Sequence, residues 1–393
     1  MRFLVVAGAA GVGKSTLARA LARVLALPVV DLDTLTNPLL DAIAERAFPG
    51  AHWNDPALRE TVRPARYAAV RAVIAEQADA GVGAVAAAPF TAELTGGPEW
   101  ELLVQACGQE PVVVWLEADD TVIAARRAQR SAARDAHALP AAGIPPAVPH
   151  LRLDASLSPA QQVTRVLRHL GVHRELAADA PLLSRRFAAG LFDLDGTLID
   201  STPAVLRSWS RLAAEYGVGL DLLASGHGQP ASSLINAMFP PERVDEALDR
   251  ISELEAEDVA DVALIPGSRA VFEAIPRRAI VTSGTRLIAG NRIAAAGVAR
   301  PDVVVTFDDV ERGKPDPEPF ARAAALLGVA GADCVAFEDA PAGIVAAQGA
   351  GCAVVAITGT HDTAELGAAD LVVDRLDQLE VVPDGDGFRL AIR

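Results

Sequence analysis

Two runs of β-forming residues in this chain each break into a flexible polar turn of a kind that a strand end presents. Phe3 to Ala7 leads into Gly8-Ala-Ala-Gly11-Val-Gly13-Lys14-Ser15, and the apolar stretch before Phe192 closes on Phe-Asp-Leu-Asp-Gly-Thr, Phe192 to Thr197. The turns lie in opposite halves of 393 residues, a length too great for one ordinary core when domains run to roughly 100–200 residues. One domain per turn is therefore expected, with residues 1–172 as the first, 173–186 as a linker and 187–393 as the second.

Both halves alternate short β-rich runs with longer Ala-rich amphipathic segments, which reads as βαβ units around a parallel sheet. In the first half the strands are expected at Phe3–Ala7, Val29–Leu32, Gly83–Ala88, Val112–Glu117 and His150–Leu153. The Pro-rich stretch from Pro140 to Pro149 resembles a linker, yet the strand and helix after it complete the first sheet. In the second half the strands are expected at Ala188–Asp193, Ala279–Thr282, Val303–Thr306, Cys334–Phe337, Ala353–Ile357 and Leu371–Val373. The predicted fold class is α/β, two doubly wound parallel-sheet domains. Between the first two strands of the second half, about Ser201 to Leu264 reads as a helical insert without a strand, the pattern of a small cap. Ser201 and Thr202 suit its N-cap, and Pro203 its first turn, where the missing N–H costs nothing. No internal repeat is visible.

Composition removes several function classes. A net charge of −16 argues against sequence-independent nucleic-acid binding, which needs Lys and Arg to neutralise phosphates. Cys107, Cys334 and Cys352 are widely spaced and form no Cys-x-x-Cys pair, so reduced core thiols are expected rather than a disulfide framework or a zinc site. No apolar run reaches the roughly 18–20 residues of a membrane span, and Phe3–Ala10 reads as a first strand rather than a signal peptide. A soluble, cytoplasmic protein is expected, with neither nucleic acid nor membrane as partner.

The second turn sets two carboxylates on alternate residues. Asp193, at a strand end, suits a nucleophile that forms an aspartyl phosphate, and Asp195 a general acid that later serves as base to water. Two anions beside an incoming phosphate call for a hard cation such as Mg²⁺. Asp193, the backbone carbonyl of Asp195, and Asp339, with Glu338 directly or through water, form the expected ligand set. Thr282 and Lys314 would hold the phosphoryl oxygens.

With Val-Thr-Ser-Gly-Thr-Arg (Val281–Arg286), Gly-Lys-Pro-Asp-Pro-Glu-Pro-Phe (Gly313–Phe320) and Phe-Glu-Asp-Ala-Pro-Ala-Gly-Ile (Phe337–Ile344) following in order, residues 187 to about 374 resemble the haloacid-dehalogenase phosphohydrolases. The latter two segments and Ala350–Ile357 narrow the likeness to sugar-phosphate and glycerol-phosphate phosphatases with a helical cap, in the β-phosphoglucomutase-like branch. That resemblance implies a Rossmann-like core and a small phosphorylated metabolite as substrate. The phosphoglucomutases of the same branch place a His where this chain has Val205, which favours water over a sugar hydroxyl as acceptor. His227-Gly228 stands where such phosphatases often show His-Gly followed by Arg; here Gln229 follows, so charge pairing from the cap is in question.

The first turn has the layout of a phosphate loop: Gly8, Gly11 and Gly13 free the backbone N–H groups, Lys14 reaches the β- and γ-oxygens, and Ser15 reaches Mg²⁺, with Thr16 opening the helix. ATP is the expected cofactor. Asp31 and Asp33 end the second strand; Asp33 is the candidate base toward an acceptor hydroxyl, and Asp31 helps hold metal or fold the turn. Ala87–Phe90 ends the third strand without the usual acid. Arg126, Arg130 and Arg134 recur every four residues, as a lid over a triphosphate or as a solvated helix face. This half is similar to small P-loop kinases of the group containing gluconate kinases and chloramphenicol phosphotransferases. The expectation for the whole chain is an ATP-dependent kinase of a small metabolite fused to a Mg²⁺-dependent phosphatase. The alternatives are a regulatory nucleotide-binding first half, a sugar-phosphate mutase, and a nucleic-acid end-healing kinase and phosphatase.

Overall fold

The computed structural model describes residues 2–47, 53, 55–118, 145–218, 231–361 and 363–393. The chain divides into two compact units, Met1–Val166 and Leu167–Arg393. Arg126, Arg130, Arg134, His227, Gly228 and Gln229 lie outside the described residues. Among those that are described, no helix is long and apolar enough to cross a membrane, and Cys107, Cys334 and Cys352 are free and buried.

The first unit is built on five parallel strands: β1 (Phe3–Gly8), β2 (Val29–Asp31), β3 (Ala84–Ala87), β4 (Val112–Glu117) and β5 (Leu151–Asp154), in the order β2-β3-β1-β4-β5. Every residue of β1 is buried, as expected of a strand covered by helices on both faces. On one face Phe3, Val5 and Ala7 join Tyr67, Val70 and Ile74 of the helix Pro56–Asp79. The helix Lys14–Leu25 packs on β1 and β3, burying Leu17, Ala18, Leu21 and Ala22 at the one-and-four spacing of a single helical face. The strand after the Pro-rich stretch pairs with β4 through Val114↔Leu151 and Leu116↔Leu153.

The second unit holds six parallel strands: β6 (Ala189–Phe192), β9 (Arg278–Val281), β10 (Val303–Val305), β11 (Cys334–Glu338), β12 (Ala353–Ile357) and β13 (Leu371–Val373), ordered β10-β9-β6-β11-β12-β13. Connections run outward to one side through β9 and β10, then cross to β11 and run outward to the other. The reversal beside β6 opens a crevice at the carboxyl ends of β6, β9 and β11, the usual ligand position in such sheets. Phe192 and Phe337, on adjacent strands, stack with centroids 4.3 Å apart beneath that edge.

The insert folds as helices Thr202–Tyr216, Ala231–Met238 and Val244–Glu257 around its own core of Trp209, Leu212, Ile235, Ile251 and Leu254. It is not strand-free as expected: β8 (Ala263–Leu264) falls within it and pairs antiparallel with β7 (Ile199–Asp200). Two residues are too few to show a period of two. The hairpin of β14 (Leu379–Asp384) and β15 (Gly387–Ile392) also lay outside the expected strands. Its two-residue turn is Gly385-Asp386, with Gly385 at φ 62°, and that Gly-Asp pair is the readable hairpin signal. Phe388 of β15 packs on Phe187, just before β6.

Candidate active site

The carboxyl end of β6 carries Asp193, whose N–H donates to Phe337 O at 2.9 Å and so sets the side chain beside the end of β11. Lys314 arrives from the loop after β10. Its Nζ donates to Asp193 Oδ1 at 2.6 Å, Glu338 Oε1 at 2.6 Å and Val281 O at 3.0 Å, which uses all three ammonium protons. The other oxygen of Glu338 accepts from the N–H groups of Asp339 and Ala340 at 2.8 and 2.9 Å, and the Asp339 carboxylate accepts from Thr360 Oγ1. Asp193, Glu338 and Asp339 are all buried, with ligating oxygens within 4.8 Å of one another.

Three carboxylates around one ammonium leave an excess of negative charge. Burial pushes Asp193 up to about 7 against the pull of Lys314, with Glu338 and Asp195 adding to the rise. Burial likewise holds Asp339 well above the carboxylate range, reinforced by Asp193 and Glu338. Burial alone would depress Lys314, but Asp193 and Glu338 keep it raised and protonated. Asp193 Oδ2 is buried without a hydrogen-bond partner among the described residues. An orphaned carboxylate oxygen within an all-oxygen donor set is what a hard divalent cation satisfies. Glycine is required nearby: Gly196 has φ 89°, and a Cβ there would strike the Asp339 carboxylate.

Thr282 follows β9, is buried, and accepts the Gly284 N–H at 3.0 Å through Oγ1. It lines a cavity of about 410 Å³ together with Asp193, Asp195, Lys314, Glu338 and Asp339. The cap side of that cavity is largely apolar, with Val205, Leu206, Trp209, Leu234 and Ile251 facing it. All six second-half residues expected to act together are thus in one place. The Asp195 carboxylate, however, stands apart from the buried ligand cluster. It accepts Ser201 Oγ at 2.5 Å and Arg292 Nη1 at 2.9 Å.

Ser201 therefore departs from its expected capping role. It occupies the N-cap position of Thr202–Tyr216, but its side chain makes no cap bond; its Oγ donates to Asp195, while the Thr202 N–H donates to Asp200 Oδ1 at 3.2 Å. Arg292, Glu255 and Trp209 were not anticipated at all. Arg292 Nη2 donates to Glu255 Oε2 at 2.9 Å, and Trp209 Nε1 donates to Glu255 Oε1 at 2.9 Å. No motif marks them, because their partners lie on separate helices.

In the first unit, Gly8, Gly11 and Gly13 have φ of 141°, 85° and 112°, and the helix carrying Lys14, Ser15 and Thr16 begins at once. A Cβ on Gly8 would strike the carbonyl oxygen of Leu116 on β4. Lys14 Nζ turns back over the loop to Ala9 O at 2.7 Å. Ser15 Oγ donates to Asp31 Oδ2 at 2.6 Å, so the acid beside the loop serine comes from the end of β2. Asp33 does not end that strand as expected. Asp31 Oδ1 accepts the Thr34 N–H at 2.9 Å, and the chain passes from β2 straight into the helix Leu32–Ala47. Asp33 consequently sits in a first helical turn, paired with Arg66 Nη2 at 2.7 Å.

Residues 191–357 match the model of the haloacid dehalogenase-like hydrolase family, and residues 3–144 match that of an AAA domain. The chain is 41% identical to hexitol phosphatase A of Escherichia coli over 206 residues, which is 50% of this chain and 95% of that protein. It is 36% identical to validoxylamine A 7'-phosphate phosphatase of Streptomyces hygroscopicus, over 49% of this chain and 96% of the relative. Identity to 2-deoxyglucose-6-phosphate phosphatase 1 of Saccharomyces cerevisiae is 34%, over 50% of this chain and 91% of that protein.

Proposed function

The chain belongs, through its second half, to the haloacid dehalogenase-like hydrolases, and from that membership we propose that it hydrolyses a sugar or polyol phosphate in the cytoplasm by way of an aspartyl phosphate at Asp193. The observation that carries the reading is the buried quartet of Asp193, Lys314, Glu338 and Asp339 at the sheet reversal.

A carboxylate oxygen of Asp193 attacks phosphorus and the bond to the ester oxygen breaks, while Asp195 gives its proton to the departing alcohol. Asp195, now ionised, takes a proton from the water that attacks the aspartyl phosphate. The phosphorus–Asp193 bond then breaks, releasing inorganic phosphate and restoring the carboxylate. Lys314 and the Thr282 hydroxyl stabilise the charge on the phosphoryl oxygens. Asp193 and Asp339, with Glu338 and the Asp195 carbonyl, would hold Mg²⁺, which supplies the positive charge that lets an anionic ester approach three carboxylates. Val205 presents methyl groups to the cavity where proton handling by a mutase calls for a titratable group. The relatives named for hexitol, validoxylamine A 7'-phosphate and 2-deoxyglucose-6-phosphate support a polyhydroxylated substrate.

For the first half the reading is ATP binding at Gly8–Thr16 with phosphorylation of a small metabolite, Ser15 and Asp31 serving the metal and Asp33 the acceptor. Arg126 and Arg130 belong to the reading as lid residues on sequence grounds alone. Two observations favour a regulatory module instead: Asp33 is engaged by Arg66, and β3 ends without an acid. Slow ATP turnover that no added sugar or antibiotic raises would support that second reading.

The test is a phosphate-release screen over sugar, polyol and glycolate phosphates with wild type, Asp193→Asn and Lys14→Ala. Asp193→Asn is expected to abolish release and Lys14→Ala to leave it intact. Release that survives Asp193→Asn refutes the assignment.

A further inference from the structure

Asp195 is held by groups that the phosphoryl transfer does not itself require. Among the described residues its two side-chain donors, Ser201 Oγ and Arg292 Nη1, bond the same oxygen, Oδ1. A carboxylic acid donates through the oxygen that bears its proton, so two donors on Oδ1 leave Oδ2 to carry it toward the cavity that Asp195 lines. The guanidinium responsible is itself 3% exposed, on the helix Arg286–Ala296 of the core. Its second bond goes to Glu255 of the cap helix Val244–Glu257, and Glu255 is in turn fixed by Trp209 of the cap helix Thr202–Tyr216.

Stability does not account for this arrangement. An ion pair on a buried guanidinium adds little beyond what well-packed apolar side chains would contribute, and Arg292 Nε is buried with no partner among the described residues. What the guanidinium uniquely provides is a rigid fork whose two ends reach carboxylates on different elements.

Building on the phosphatase reading, we infer that Arg292 is a positioning residue for the general acid, and that Glu255 holds Arg292 in place from the cap. Asp195 is then aimed at the leaving oxygen only while the helix Val244–Glu257 sits on the core. Neither Arg292 nor Glu255 belongs to the motifs expected to carry the chemistry. The link would let the enzyme deliver its proton only to a leaving group enclosed beneath the cap, where water competes least.

The experiment measures kcat/KM for a series of 4-substituted phenyl phosphates, similar in shape but graded in leaving-group basicity. Wild type, Arg292→Met, Arg292→Lys and Glu255→Gln are compared, and Asp193→Asn supplies the blank. A basic phenoxide needs the proton and a nitrophenoxide does not, so kcat/KM should fall at least about tenfold for phenyl phosphate but under about threefold for 4-nitrophenyl phosphate in Arg292→Met. Glu255→Gln should steepen the dependence on leaving-group basicity in the same sense, and Arg292→Lys should recover part of the loss. An equal fall across the series in both Arg292→Met and Glu255→Gln means a structural or substrate-binding role and overturns the inference while the phosphatase reading stands. If Arg292→Met does not fold, Glu255→Gln decides alone, and an unchanged dependence there overturns the inference. A wild type inactive on every member overturns the phosphatase reading and this inference together.

Discussion

Magnesium binding to the second unit should release protons, and its strength should depend steeply on pH near neutrality. The cause is the raised Asp193: a metal ligand must be deprotonated, and burial holds this carboxyl up to about 7 in the free protein. At pH 6 about one molecule in eleven carries the Asp193 carboxylate, and at pH 8 about ten in eleven do, so this residue alone makes apparent affinity about tenfold greater at pH 8. Asp339 is raised as well and acts in the same direction, so tenfold is a floor. Affinity is thus lost as pH falls through the free-state pKa, and at least about one proton should leave per ion bound at pH 6, with fewer at pH 8. Isothermal titration calorimetry in two buffers of different ionisation enthalpy, at pH 6, 7 and 8, counts those protons directly. Asp193→Asn should bind more weakly and with a shallower pH dependence, Asp339 supplying what remains. Equal affinity at all three pH values with no proton release would refute the charge balance drawn for the site.

Two further outcomes follow from local geometry. Gly196→Ala places a Cβ against the Asp339 carboxylate at φ 89°, so phosphatase activity should fall at least about tenfold. The left-handed backbone adds roughly 1–2 kcal/mol of instability, readable as a lower melting temperature. Asp31→Ala removes both the acceptor of Ser15 and the cap on Thr34 N–H, so the first unit should lose roughly 1 kcal/mol in a denaturant melt. Binding of a fluorescent ATP analogue with Mg²⁺ should weaken alongside, while phosphate release at Asp193 stays unchanged.

Much of the fold was readable because the informative residues sit next to one another. The five strands of the first sheet and the six of the second were expected within about two residues of where they lie, since continuous Val- and Ala-rich runs bounded by Gly, Pro and Asp signal buried parallel strands. The exceptions were short or terminal. β7 and β8 have two residues each, and β14 and β15 form a hairpin whose signal is one Gly-Asp pair. Asp33 was misplaced because a strand end and a first helical turn can both begin Asp-x-Asp, and the cap bond from Thr34 N–H to Asp31 decided between them.

The chemistry divides along the same line. Asp193, Asp195, Lys314 and the Glu338–Asp339 pair were legible because each lies at or just after a strand, so chain connectivity delivers them to one sheet edge. The clasp on Asp195 was not. Arg292 lies 97 residues from Asp195 and 37 from Glu255 along the chain, on helices whose patterns record only that a face is buried. Which two carboxylates a guanidinium joins depends on how those helices pack, and packing is a property of surfaces meeting in space that no local spacing encodes.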